Sequence, residues 1–137
     1  IPLFTIFYLT GTRLSPHLYL VPVIVLLAGM FSFGISLFLS TLTVFFRDAQ
    51  YIYEVLLLGL MYATPIFYPE SIVPQKYAFI IHLNPLYYFT NTFRGALYLD
   101  VSSLFTKLLY GSLFSVMALT AGWFFYGRYK DRVVYYL

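Results

Sequence analysis

The sequence predicts an all-α integral membrane protein, a helical bundle with about three full spans plus short re-entrant helices. Three observations predict it. The 137 residues are 61% hydrophobic and 9% charged, with a mean hydropathy of +0.82, whereas a soluble domain is roughly half apolar and a quarter charged. Polar groups cannot cover such a surface, so lipid must be the solvent for much of it. Residues 14–46 and 108–127 carry no formal charge, and about 20 helical residues cross a bilayer core of roughly 30 Å. Between these runs lie apolar segments broken by proline and asparagine, and backbone broken at membrane depth survives only where protein or water surrounds it.

The same composition excludes other classes. Eight Lys and Arg against five acids are too few and too scattered for a nucleic-acid face; a pI near 9.1 fits basic membrane flanks instead. With no cysteine there is no disulfide, thiolate chemistry or cysteine metal site. His17, His82 and the carboxylates show no metal-ligand spacing, and no serine elbow is present, so an intramembrane enzyme is disfavoured and no catalytic or metal residue is assigned.

The elements follow in order. "IPLFTIFYL", residues 1–9, lacks a basic n-region and a cleavage site and reads as the end of a span, so the chain is expected to be a piece of a larger membrane protein. Residues 18–46 form a span, with Pro22 near its start, where proline costs least. Within it Ala28, Ser32, Ser36 and Ser40 recur every four residues beside Gly29 and Gly34. In lipid, small residues let a second helix approach, whether within the chain or from another copy.

Arg47 and Asp48 then mark a turn at a membrane face. Residues 49–68 form the next span, with Glu54 near its start and Pro65 near its end. An acid this far into a span usually has a partner, and Arg47, seven residues before Glu54, would share its face and could pair with it if the helix were continuous. "PESIVPQK" is a polar turn. Residues 77–99 read as one or two re-entrant or interfacial helices meeting near Asn84–Pro85, because proline pushes its predecessor out of helical geometry and cannot donate a helical bond.

Residues 104–127 form the last span, carrying Gly111, Ser115, Ala118 and Gly122 as a second small-residue stripe, with Trp123 and Tyr126 at its end. Arg128, Lys130 and Arg132 in the tail, residues 128–137, place the C-terminus in the cytoplasm. Arg47–Asp48 is then cytoplasmic too. A count of flanking cations ties, with Arg47, Arg128, Lys130 and Arg132 against Arg13, Lys76, Arg94 and Lys107. If residues 77–93 crossed fully, Arg47–Asp48 would lie outside, so composition alone leaves the topology open.

Three stretches in order, "FFRDAQYI", "TPIFYP" and "NPLYYFTNTFRGALY", resemble the C-terminal half of permease subunits of ABC-type polysaccharide exporters, over residues 18–137. The resemblance implies half of a six-span permease. Residues 1–9 then end span three, residues 18–46 are span four and residues 49–68 span five. Residues 77–99 are the external gate helices, and the last span is the sixth. It also implies ATP-driven export of lipid-linked polysaccharide (O-antigen, capsule or teichoic acid) across the cytoplasmic membrane. The implied partners are a second permease copy, two ATP-binding cassette subunits, the lipid-linked glycan and membrane lipids. The chain has no GxxxxGK[ST] loop, so no cofactor is expected in it and ATP with Mg is expected on the partner ATPase. The family's coupling helix and first half are absent, so this chain by itself is not expected to transport.

Two sets of site residues follow. Arg47, Asp48 and Glu54 are candidates for the cytoplasmic substrate entrance; the plainer alternative has Arg47 snorkelling to headgroups and Asp48 capping the next helix. Tyr51, Tyr62, Pro65, Phe67, Tyr68, Asn84, Pro85, Tyr87, Tyr88 and Arg94 are candidates for the translocation path or gate, Tyr98 joining the aromatics. Aromatic faces suit the C–H faces of sugars, while an interfacial aromatic belt accounts for part of the set. A drug or small-lipid exporter of the same superfamily is the nearest rival reading, and a non-transporting scaffold is a further one.

Overall fold

The computed structural model describes residues 16–66, 74–98 and 103–136. The expected span end at residues 1–9 lies outside them. A 3-10 turn, Pro16–Leu20, leads into α1 (Val21–Phe45), followed by α2 (Ala49–Ala63), α3 (Gln75–Leu83), α4 (Pro85–Tyr98) and α5 (Leu104–Tyr136), with no strand among the described residues. Two segments, Pro16–Phe45 and Leu104–Lys130, are long and apolar enough to cross a membrane. The 15 residues of α2 reach only about 22 Å at 1.5 Å per residue, short of a roughly 30 Å core. The last helix does not stop at Gly127. It runs through Arg128 and Lys130 to Tyr136, since no proline interrupts it and a continuing helix keeps every backbone group paired.

The frame is the pair α1 and α5. On α1 the packed positions are Ile24, Leu27, Phe31, Gly34, Phe38, Thr41 and Phe45, alternating by three and four residues. The facing positions on α5, Leu108, Gly111, Ser115, Ala118, Gly122, Phe125 and Tyr129, follow the same rule. A repeat of 3.5 keeps one seam facing its partner along two supercoiled helices. The Phe38 and Phe125 ring centroids lie 4.9 Å apart and those of Phe45 and Tyr129 5.6 Å, while Ser115 Oγ donates to the Leu27 carbonyl at 2.8 Å. Residue numbers rise together along both helices, so they run parallel.

At the centre the backbones nearly touch. A Cβ on Gly34 would fall onto the backbone of Ala118 and Leu119, and one on Gly122 onto the Gly34 carbonyl. The two small-residue stripes are not one interface, however. Of the small residues on α1, Gly34 is the one shown against the α5 stripe, at Ala118 and Gly122. Ser32, Ser36 and Ser40 stay exposed on another side of α1, because a four-residue repeat drifts off a 3.5-residue seam. Two of these hydroxyls bond back to their own helix: Ser36 to the Ser32 carbonyl at 2.9 Å and Ser40 to that of Leu37 at 3.0 Å.

Parallel helices oblige the chain between them to return to its starting end. The return is made in pieces. α2 rises from the Arg47–Asp48 turn and stops at Ala63, and α3 and α4 meet at Asn84. Pro85 and Leu86 sit beside Ser32 and Ile35 of α1 and Leu57 and Leu60 of α2, so the junction lies near the middle of the bundle. From there α4 travels back along the first half of α5. Tyr88 stacks near Phe114, Phe89 lies against Gly111, and Ala96 joins Leu20, Ile24 and Leu104 in a buried cluster.

A side chain at the α1–α5 contact should therefore be intolerable. Gly34→Val and Gly122→Val are each expected to cost more than the about 1–3 kcal/mol typical of overpacking, because backbone cannot move aside. Gly29 and Gly59, with nothing within 4 Å of an added Cβ, should accept alanine. Thermal denaturation of the detergent-solubilised full-length protein checks both pairs.

Candidate functional site

The first constellation lies where α2 ends. Pro65 drives Thr64 to an extended conformation, φ −91° and ψ 125°, which stops the helix and leaves its last carbonyls short of partners. In an apolar medium each such group costs several kcal/mol, and side chains from α4 and its start reach this end of the helix. The Leu60 carbonyl accepts from Thr64 Oγ1 at 2.7 Å and from Asn84 Nδ2 at 3.2 Å. Asn84 Nδ2 also donates to Thr64 Oγ1 at 2.7 Å, while Asn84 Oδ1 accepts from the Leu86 amide at 3.0 Å. Farther along α4, the Arg94 guanidinium donates to the Pro65 carbonyl at 2.9 Å and the Ile66 carbonyl at 2.6 Å. A cation at a helix C-terminus is favoured by the dipole as well as by the bonds.

The structure thus brings Pro65, Asn84, Pro85 and Arg94 together. Thr64, fully buried, belongs with them and sequence reasoning passed over it; its place before Pro65 was the available signal, because a threonine closing a helix can bond back through its hydroxyl to the carbonyl four residues earlier. Tyr87 and Tyr88 are in the packed core and not on an open wall, 2% and 9% exposed. Tyr88 Oη donates to the His82 carbonyl at 2.8 Å, and the Tyr87 ring meets His82 and Tyr88 edge-on, each at 5.2 Å. Tyr51 and Tyr62 are both largely exposed on α2. Phe67 and Tyr68 lie outside the described residues, and Tyr98 is the last residue of α4.

The second constellation is the charged turn. Phe46 is extended, φ −133° and ψ 98°, so α1 and α2 are separate helices, and Arg47 stands in the turn ahead of the Asp48 N-cap, outside the helix that carries Glu54. The expected Arg47–Glu54 pair is accordingly absent among the described residues; Glu54 accepts from Gln50 Nε2 at 3.4 Å instead. Asp48 occupies the N-cap position, but its backbone is already helical and its side chain makes no capping bond. An exposed carboxylate there still complements the positive end of the dipole.

One groove joins the two constellations. Arg47 and Asp48 line the mouth of a cleft of ≈ 650 Å³ between α1 and α2, with Leu42, Phe45 and Ile52. Phe38, Leu39, Tyr53 and Leu56 continue it into a second cleft of ≈ 370 Å³, which Pro85 and Leu86 close. Among the described residues no group of acids and histidines is placed to hold a metal.

Two parallel spans, a short third helix and a broken pair whose junction sits near the middle of the bundle define a multi-pass helical membrane protein. The family model for ABC-2 type transporters matches residues 1–98, and the chain belongs to that family. An O-antigen export system permease protein RfbA of Klebsiella pneumoniae is 39% identical over 66 residues, covering 48% of this chain and 26% of that protein. Another of the same name, from Myxococcus xanthus, is 32% identical over 84 residues, 60% of this chain and 32% of its own length. The matched stretch is thus a third or less of these relatives. No solved structure matches.

Arg94→Ala should remove two charge-assisted bonds and lower stability by about 1.5–3 kcal/mol, while Arg94→Lys, which keeps charge but loses the fork, should lose less. Melting of the full-length protein in nanodiscs measures the order. Equal stability of all three forms would show that the α2 terminus does not depend on Arg94.

Proposed function

We propose that this chain is the C-terminal half of a six-span permease subunit in an ATP-driven exporter that moves lipid-linked polysaccharide across the cytoplasmic membrane. The observation that carries this reading is the similarity to O-antigen export permeases; the parallel spans and the broken pair beside them are consistent with it. The permease works with a second copy of itself and two ATP-binding cassette subunits, which bind ATP and Mg. Arg47 meets the lipid-linked phosphate at the cytoplasmic mouth of the α1–α2 groove. The junction around Asn84–Pro85 is the gate toward the outside, where polar backbone at mid-depth offers sugar hydroxyls weak and exchangeable bonds.

Parallel α1 and α5 support the sidedness. They bring Arg47, Arg128 and Lys130 to one end of the bundle, and Lys107 stands near the other. The first end is cytoplasmic. Cysteines replacing Asp48 and Lys130 in this cysteine-free stretch should react with an impermeant thiol reagent only from the cytoplasmic side, and one replacing Phe105 only from outside. Labelling of Asp48→Cys and Phe105→Cys from the same side would overturn the arrangement.

The function itself is tested by deleting the gene and following the glycan. Loss of surface polysaccharide with accumulation of its lipid-linked form inside the cell is expected, and undiminished surface glycan would refute the reading. Arg47→Ala in the full-length protein should reduce export about tenfold or more, as the loss of a charged hydrogen bond implies. Arg47→Lys should retain part of it.

A further inference from the structure

At the end of the bundle away from Arg47–Asp48, a cleft of ≈ 390 Å³ opens between the α3–α4 junction and the start of α5. Its composition differs from that of the apolar groove. Tyr110 is 46% exposed, and its ring rests against that of Tyr88 with centroids 5.3 Å apart. Tyr88 is itself pinned by its bond to the His82 carbonyl, so the exposed ring is a braced platform. Beside it Lys107 holds its ammonium 5.8 Å from the Tyr87 ring centroid. A ring face takes up little of an ammonium with three donors, and no carboxylate among the described residues pairs with it. Ser103 and Thr106 add hydroxyls to the wall.

We propose that this cleft binds an anionic sugar residue of the outgoing glycan, an inference that rests on the function proposed above. The Tyr110 face covers the C–H face of a pyranose ring, the hydroxyls of Ser103 and Thr106 exchange hydrogen bonds with sugar hydroxyls, and Lys107 meets a carboxylate or phosphate on the ring. Each contact is single and solvent-exposed, so binding is shallow enough for the chain to move on. The site selects acidic over neutral sugars through Lys107, not through Tyr110. A lipid headgroup phosphate would offer Lys107 the same charge without a ring for Tyr110.

The test uses the full-length permease–ATPase complex in phosphatidylcholine nanodiscs, titrated with a glucuronate-terminated trisaccharide and its neutral glucose counterpart and read by saturation-transfer NMR. The acidic probe should bind about tenfold more tightly, the worth of one charge-assisted hydrogen bond. Lys107→Gln should erase that preference, Lys107→Arg should keep it, and Tyr110→Ala should weaken both probes alike. Equal binding of the two probes, or a preference that survives Lys107→Gln, overturns the proposal. Loss of probe binding on adding phosphatidylglycerol to the disc also overturns it and identifies a headgroup site. Glycan export by the same complex in cells is scored separately. Its absence refutes the exporter reading; export without probe discrimination refutes this inference alone.

Discussion

The contact of Gly34 with Gly122 is the constraint on which the remaining structure depends. In lipid there is no hydrophobic gain in pressing one apolar helix on another, so association relies on close van der Waals packing and the occasional interhelical hydrogen bond. Two glycines facing each other allow backbone to meet backbone, and Ser115 supplies the interhelical bond about two turns away. The aromatic pairs Phe38–Phe125 and Phe45–Tyr129 extend the seam toward the charged end. Because the pair is parallel, everything between Phe45 and Leu104 has to lead the chain back to the end from which α1 started.

A single full-length helix would accomplish that return, but α2 is interrupted by Thr64–Pro65 and the next helices break at Asn84–Pro85. Each break releases backbone carbonyls in a region without water to receive them. The structure sets the two breaks side by side so that they satisfy each other, Asn84 reaching Leu60 and Thr64 and Arg94 reaching Pro65 and Ile66. These are long-range bonds from side chains, which can let go singly.

The two ends of the bundle are chemically unlike. At one, the groove between α1 and α2 is largely apolar along its length, with Arg47 and Asp48 at its mouth. At the other, aromatic rings, hydroxyls and an ammonium share a small open cleft. Much of α2, including Tyr51, Val55, Leu58 and Tyr62, remains exposed over a larger apolar face than a water-facing protein displays.

The sequence by itself determined the solvent and the punctuation of this protein. Its charge-free runs demanded lipid, and Thr64–Pro65 and Asn84–Pro85 broke helices because proline removes a donor and restricts its predecessor; these are local or compositional effects, readable without a partner. The small-residue pattern on α5 was likewise visible as Gly111, Ser115, Ala118 and Gly122. What faces what was decided only by the tertiary structure. It chose Gly34 over the serine stripe of α1, set Arg94 on carbonyls 28 and 29 residues away, buried Tyr87 and Tyr88 while leaving Tyr110 open, and left Arg47 in the turn ahead of the helix that carries Glu54. Spacing along a sequence reports shared faces only where a helix is unbroken, and here the functional candidates gather where the helices break.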